Sequence, residues 1–110
     1  MISKDLIAAS ATPIILGILS RGESYGYAII KEVHELSGGE LGWTDGMLYP
    51  VLHRLEKKRL IRSQWKTSDS GRKRKYYRLT QAGKTGQADE RKQWLSVHNT
   101  LKKLWRESYV

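Results

Sequence analysis

Residues 43–60 read WTDGMLYPVLHRLEKKRL, and the pattern in this stretch decides what the rest of the chain has to be. Thr44 and Asp45 can both cap free amides at a helix start, and an acid in the first turn suits the helix dipole. Leu48, Leu52 and Leu55, with Val51 beside them, recur at helical spacing and form one apolar stripe. The other face carries Gly46, Tyr49, Pro50, His53, Arg54, Lys57 and Lys58. A phenol, an imidazole and several cations on one helical face suit contact with phosphates and base edges. An ordinary solvated helix face would read the same way, so the neighbouring segments have to decide. Pro50 deletes one helical hydrogen bond and should bend the helix near Gly46.

Working back from Trp43, residues 24–39 read as a second helix, SYGYAIIKEVHELSGG. Ser24 starts it, Tyr25, Ile29, Val33 and Leu36 share a face, and Gly38-Gly39 stops it. Gly26 costs about 1 kcal/mol of helix propensity against alanine, which points to close approach of another backbone. Residues 2–20 read as the first helix, ended by Arg21-Gly22. Thr12-Pro13 inside it is either a cap with proline at the first helical position or a kink in a longer helix. Three short helices joined by Gly-containing turns make a helix-turn-helix, with the helix after Thr44 in the recognition position.

Working forward from Leu60, the period changes to two. Ile61, Ser63, Trp65 and Thr67 alternate with polar neighbours, Ser68-Asp69-Ser70-Gly71 turns the chain, and Lys75, Tyr77 and Leu79 alternate again. That is a β-hairpin. Its tip carries Arg72, Lys73, Arg74 and Lys75 in succession, so the hairpin reads as a wing placed to straddle a phosphate backbone or enter the minor groove. Between Arg54 and Arg78 the acids are Glu56 and Asp69 alone. Positive charge is thus gathered on two adjacent elements, which a merely solvated surface would not require.

The whole chain carries 20 Lys and Arg against 11 Asp and Glu, a formal charge of +9, which favours a polyanionic partner. With 110 residues there is room for one small core. The absence of cysteine excludes disulfides and thiolate metal sites and allows a reducing cytoplasm. No stretch resembles a signal peptide or a membrane span, so a soluble, cytoplasmic protein with no membrane partner is expected. His34, His53 and His98 stand on separate elements, and no nucleophile–base pair or phosphate loop is legible, so no metal, no cofactor and no enzyme activity are expected.

Thr80 can cap a last long helix, despite Gly83 and Gly86 in its first turns. Trp94, Val97, Leu101, Leu104 and Trp105 follow one another in steps that make a narrow seam of the coiled-coil kind. The seam could pack on its own chain, but a helix leaving a wing points away from the small core, which favours a second copy. The expected fold is mainly α with a small β-hairpin: a winged helix-turn-helix over residues 1–80 and a long C-terminal dimerisation helix over 81–110.

These features resemble the PadR family of winged-helix transcriptional regulators. The likeness is carried by Ser24-Tyr25-Gly26-Tyr27 with Ile29-Ile30-Lys31, by Gly46-Met47-Leu48-Tyr49-Pro50-Val51-Leu52 with Arg54-Leu55-Glu56, and by Arg74-Lys75-Tyr76-Tyr77-Arg78-Leu79-Thr80 with Gly83. The resemblance implies a cytoplasmic homodimer that represses transcription from a palindromic operator. It also implies an interface built from the C-terminal helix and the N-terminal segment, including Leu6. The single short C-terminal helix is similar to the small subfamily, some of whose members stack flat hydrophobic drugs on a tryptophan of this helix. By position Trp94, with His98, would serve a planar hydrophobic effector. Arg59 stands where the family often has glycine, and Pro50 is typical of it.

The candidate DNA contacts are therefore Thr44, Gly46, Met47, Tyr49, Pro50, His53, Arg54 and Lys57 on the helix, and Arg72, Lys73, Arg74, Lys75 and Tyr76 on the wing. Arg54 could instead pair with Glu56 or a neighbouring helix. Tyr25 is either a backbone contact or core, and Tyr27 and Tyr77 are read as structural. The candidate dimer interface is Leu6, Trp94, Val97, Leu101, Leu104 and Trp105. The rival function is a protein-interaction module, a winged helix whose C-terminal helix docks a different polypeptide.

Overall fold

The structure, a computed structural model, describes residues 2–107. Its elements are α1 (Lys4–Leu19), β1 (Ser24–Tyr25), α2 (Gly26–Leu36), α3 (Asp45–Lys57), β2 (Ile61–Thr67), β3 (Lys73–Leu79) and α4 (Gln81–Glu107). The Ser3 hydroxyl accepts from the Leu6 N–H and Asp5 lies in the first turn, which starts α1 as dipole and capping rules require. The helix then runs through Pro13 without a break, so this proline is interior and not a cap. Ala11, Ile15, Leu16, Ile18 and Leu19 bring its C-terminal half into the core, whereas Leu6 stays exposed.

Ser24 does not open a helix. Ser24 and Tyr25 are extended and pair antiparallel with Tyr77 and Tyr76, which turns the expected hairpin into a three-stranded sheet of order β1-β3-β2. Two residues are too few to show a period, and it is the free edge of β3 that makes them a strand. Tyr25 accordingly leaves the stripe assigned to it, and Leu36, at the other end of α2, is 61% exposed. The core contribution of α2 is Ile29 and Val33, with Ile30 packed beside them. Tyr27, expected to be structural, is 70% exposed on the outer side of the helix.

Gly26 does meet a close neighbour, but it is a side chain. A Cβ there would overlap the hydroxyl and ring of Tyr49 on α3, so the missing side chain lets the recognition helix lie against the start of α2. Leu48, Leu52 and Leu55 of α3, all buried, close the core against Ile15, Leu16, Ile29 and Ile61. Each fully buried side chain of this size contributes about 1.5–3 kcal/mol.

The end of α3 is a two-bond closure in which Leu60 N–H donates to the Leu55 carbonyl at 3.0 Å and Arg59 N–H to the Glu56 carbonyl at 2.9 Å. That closure needs a left-handed residue after the cap, the usual place for glycine. Arg59 takes it, with φ of 62°. An L side chain in this conformation costs about 1 kcal/mol. Arg59→Gly is therefore expected to raise the melting temperature by several degrees, at about 4–8 °C per kcal/mol for a domain of this size, measured by calorimetry at fixed protein concentration. A lower melting temperature would mean that the arginine side chain makes a contact worth more than the strain.

Thr80 ties this turn to α4. Its hydroxyl donates to the Arg59 carbonyl at 2.6 Å and accepts the Gly83 N–H at 3.0 Å, so it caps α4 as read from the sequence. The helix packs against α1 and β3 near its start and then extends beyond the domain, giving a molecule of 58 × 29 × 21 Å.

Candidate nucleic-acid interface

The winged domain presents α3 by its apolar stripe and leaves the opposite side free. Gly46, Pro50, His53 and Lys57 are all exposed and fall on one line along the helix, at steps of four, three and four residues opposite Leu48, Leu52 and Leu55. Thr44 caps the helix by accepting the Met47 N–H at 3.3 Å, so its side chain is already engaged in starting the helix. Met47 is half-buried against the core on one flank. The helix is continuous across Pro50, whose missing N–H falls on the exposed side where no core hydrogen bond is lost.

Two of the expected contacts sit on the flanks instead of the ridge. Arg54 turns towards α1, where its guanidinium reaches the Thr12 hydroxyl at 3.5 Å, so the neighbouring-helix alternative is the one observed. Tyr49 turns the other way, towards the wing, with its hydroxyl end over Gly26 and 44% of its surface exposed. Glu56 does not pair with Arg54. Its carboxylate accepts from the Ser63 N–H at 3.1 Å and the Ser63 hydroxyl at 2.5 Å, which fastens the end of α3 to β2. Between α3 and the sheet, burial pushes the Tyr77 hydroxyl above the ordinary phenol range, and nearby Tyr49 and Glu56 push it the same way. Tyr77 is structural, as expected.

The wing divides its cations by strand alternation. Ser68 N–H donates to the Arg72 carbonyl at 2.8 Å and Gly71 N–H to the Ser68 carbonyl at 2.9 Å, which closes the tip and leaves Arg72 and Lys73 exposed. Lys73 and Lys75 face one side with Thr67 and Trp65, their partners across the sheet. Arg74 and Tyr76 face the other and are already occupied. The Arg74 guanidinium lies 4.4 Å from the centre of the Tyr25 ring, and Tyr76 meets the same ring edge-on at 5.3 Å. Lys66, opposite Arg74, is neutralised by Glu23 at 2.6 and 2.8 Å. Of the run 72–75, Arg72 and Lys73 are thus exposed with no ring or ion partner among the described residues, while the Lys75 ammonium lies 5.8 Å from the centre of the Tyr77 ring.

The two elements meet in a groove of about 780 Å³. It is bounded by Tyr49 of α3, by Tyr25 to Tyr27 at the start of α2, and by Trp65 and the Arg72–Lys75 run of the wing. The recognition helix and the wing therefore share one concave, cationic surface. Trp65 and Tyr27 belong to it although neither was read as a site residue. For Trp65 the signal was available, since alternation puts it on the same strand face as Thr67. For Tyr27 there was none, because its place depends on where α2 begins.

Residues 15–89 match the family described as "Transcriptional regulator PadR-like family". The chain belongs to the PadR family. It is similar over nearly its whole length to a transcriptional regulator of Clostridium thermocellum, with 30% identity, a TM-score of 0.82, and 94% of this chain and 97% of that one covered. A PadR-like transcriptional regulator of Bacillus cereus has the same identity and TM-score, covering 92% and 96%. A curated protein of Lysinibacillus sphaericus is 34% identical over 101 residues, which is 92% of this chain and 93% of its own length. PadR proteins are winged-helix transcriptional regulators, so this chain is a transcriptional regulator with DNA as its partner. No helix among the described residues is long and apolar enough to cross a membrane.

The PadR chain carries its other candidate surface on α4. Val97, Leu101, Leu104 and Trp105 are exposed along one face and Trp94 is half-buried at its start, with His98 one turn further on. Leu6 of α1 is exposed as well, and α1 is the helix beside which α4 begins.

Proposed function

We propose that this PadR protein is a homodimeric repressor that reads a palindromic operator. Each α3 enters a major groove with the ridge Gly46–Pro50–His53–Lys57, while the wing holds the adjoining phosphates and minor groove through Arg72, Lys73 and Lys75. The observation that carries the reading is the shared groove: a recognition helix and a cationic hairpin edge bound one concave surface. Arg54, Arg74 and Tyr76 have the weaker case, because their side chains already contact Thr12 or Tyr25.

The dimer is supported by the apolar face of α4. A solitary helix does not keep Val97, Leu101 and Trp105 in water without reason, and the spacing is that of a two-helix seam. A planar hydrophobic effector would enter between the subunits near Trp94 and His98 and loosen the grip on DNA by shifting the two α3 helices.

The test is selection of duplexes from a random pool by the purified chain, together with its double variant Trp94→Ala/Leu101→Ala. The native chain should enrich a palindrome with half-sites one helical turn apart, about 34 Å. It should sediment as a dimer at micromolar concentration, whereas the variant should sediment largely as monomer and lose most of its operator affinity. A monomeric native chain, or an enriched sequence with no two-fold symmetry, would refute the dimeric reading.

A further inference from the structure

Trp65 is 66% exposed at the middle of a hairpin arm, among side chains that are otherwise polar. A tryptophan offers a large apolar surface with a single polar atom, which suits a contact that is apolar on one side and wet on the other. The register of the wing sets Trp65 directly across from Lys75, and Thr67 across from Lys73. The indole and two ammonium groups therefore stand on the same side of the hairpin. That side closes the groove against Tyr49 of α3, with Arg72 at its outer end.

The charges around the indole decide what can cover it. An uncharged apolar segment would have to strip water from Arg72, Lys73 and Lys75, and a second copy of this face would meet the same cations. A polyanion with an apolar wall suits both components. Duplex DNA has that composition in its minor groove, where phosphates flank the deoxyribose rings. Proteins that bind there place apolar side chains between arginines and lysines, against the sugars or between base steps.

We propose that Trp65 is the apolar DNA contact of the wing, lying against the deoxyribose wall of the minor groove while Lys73 and Lys75 hold the phosphates on either side. This rests on the reading of the chain as a DNA-binding repressor and adds to it a contact that carries no charge. The wing then contributes affinity in two separable ways, one dependent on salt and one independent of it.

The full chain and its Trp65→Ala and Trp65→Phe variants are titrated, across a series of salt concentrations, with the duplex that the native chain enriches from a random pool. Trp65→Ala should lose about tenfold in affinity at every salt concentration, the scale of one aromatic contact with nucleic acid. The slope of log affinity against log salt should stay as it is, because no phosphate contact is removed. Trp65→Phe should recover most of the loss. Both variants should melt within a few degrees of the native chain, since the side chain is exposed. Native affinity in Trp65→Ala overturns the proposal and leaves DNA binding standing, whereas a native chain that binds no duplex overturns both. A flattened slope or a large fall in melting temperature also overturns it, since the indole would then act by positioning the lysines or holding the sheet. A variant that loses self-association but keeps its DNA affinity assigns the face to a second copy instead.

Discussion

Reversing the charge at the wing tip, Arg72→Glu with Lys73→Glu, should lower affinity for every duplex by about a hundredfold or more at moderate salt. Both side chains are exposed, neither is stacked on a ring, and the tip is held by backbone hydrogen bonds that the substitutions do not touch. The fold should survive. If each residue holds one phosphate, the slope of log affinity against log salt should fall by about 0.9 per contact, close to 2 for the pair. Arg74 would be a poorer choice, because its guanidinium lies on the Tyr25 ring and its loss would disturb the β1–β3 edge. The control is the same change of charge at Lys4 and Lys92, exposed residues of α1 and α4. Both double variants carry the same net charge, so equal losses would mean that total charge governs binding and that the wing has no special place. Undiminished binding by the tip variant would remove the wing from the interface.

The recognition helix and the wing were legible because their residues repeat. Leu48, Leu52 and Leu55 mark a 3.6-residue period and Ile61 to Thr67 a period of two, and both patterns are imposed by one buried face. What lay outside any period was not legible. Ser24–Tyr25 becomes a strand only because β3 offers an edge, and Gly26 matters only because Tyr49 lies over it. The side chains of Arg54, Arg74 and Tyr76 look from the sequence like three more DNA contacts. In the fold they also contact Thr12 and Tyr25, partners far from them along the chain that no sequence pattern announces. Arg59 shows the converse. Comparison with the family pattern flagged it, and the flagged turn does adopt the glycine conformation with an arginine in it. The seam on α4 was readable as a pattern, but a pattern does not say which surface covers it.

A large loss of stability is expected from Gly83→Ala. Alanine is the better helix former by about 1 kcal/mol, so helix propensity alone predicts a gain. Position 83 is buried where α4 meets the turn between α3 and β2, and a Cβ there would fall on the Leu60 carbonyl and press on the Leu79 side chain. The carbonyl cannot withdraw cheaply. It accepts the Thr80 N–H at 3.1 Å, and the amide of the same residue closes the α3 turn on Leu55. Either α4 moves off, unmaking the Thr80 cap, or the turn at Arg59 opens. We expect a net loss of about 2–4 kcal/mol, which is a large share of the stability of a small domain and lowers the melting temperature by about 10–20 °C. Gly86→Ala is the matched comparison, three residues along the same helix. Its Cβ would make only an ordinary contact, 3.6 Å from the Leu60 side chain, so propensity should win and the melting temperature should rise by a few degrees. Opposite signs at 83 and 86, measured by calorimetry at one protein concentration, require that α4 be seated on the α3–β2 turn at Gly83. A rise in both variants would mean that α4 leaves the domain without touching that turn, and the placement of the α4 seam relative to the recognition helices would fall with it.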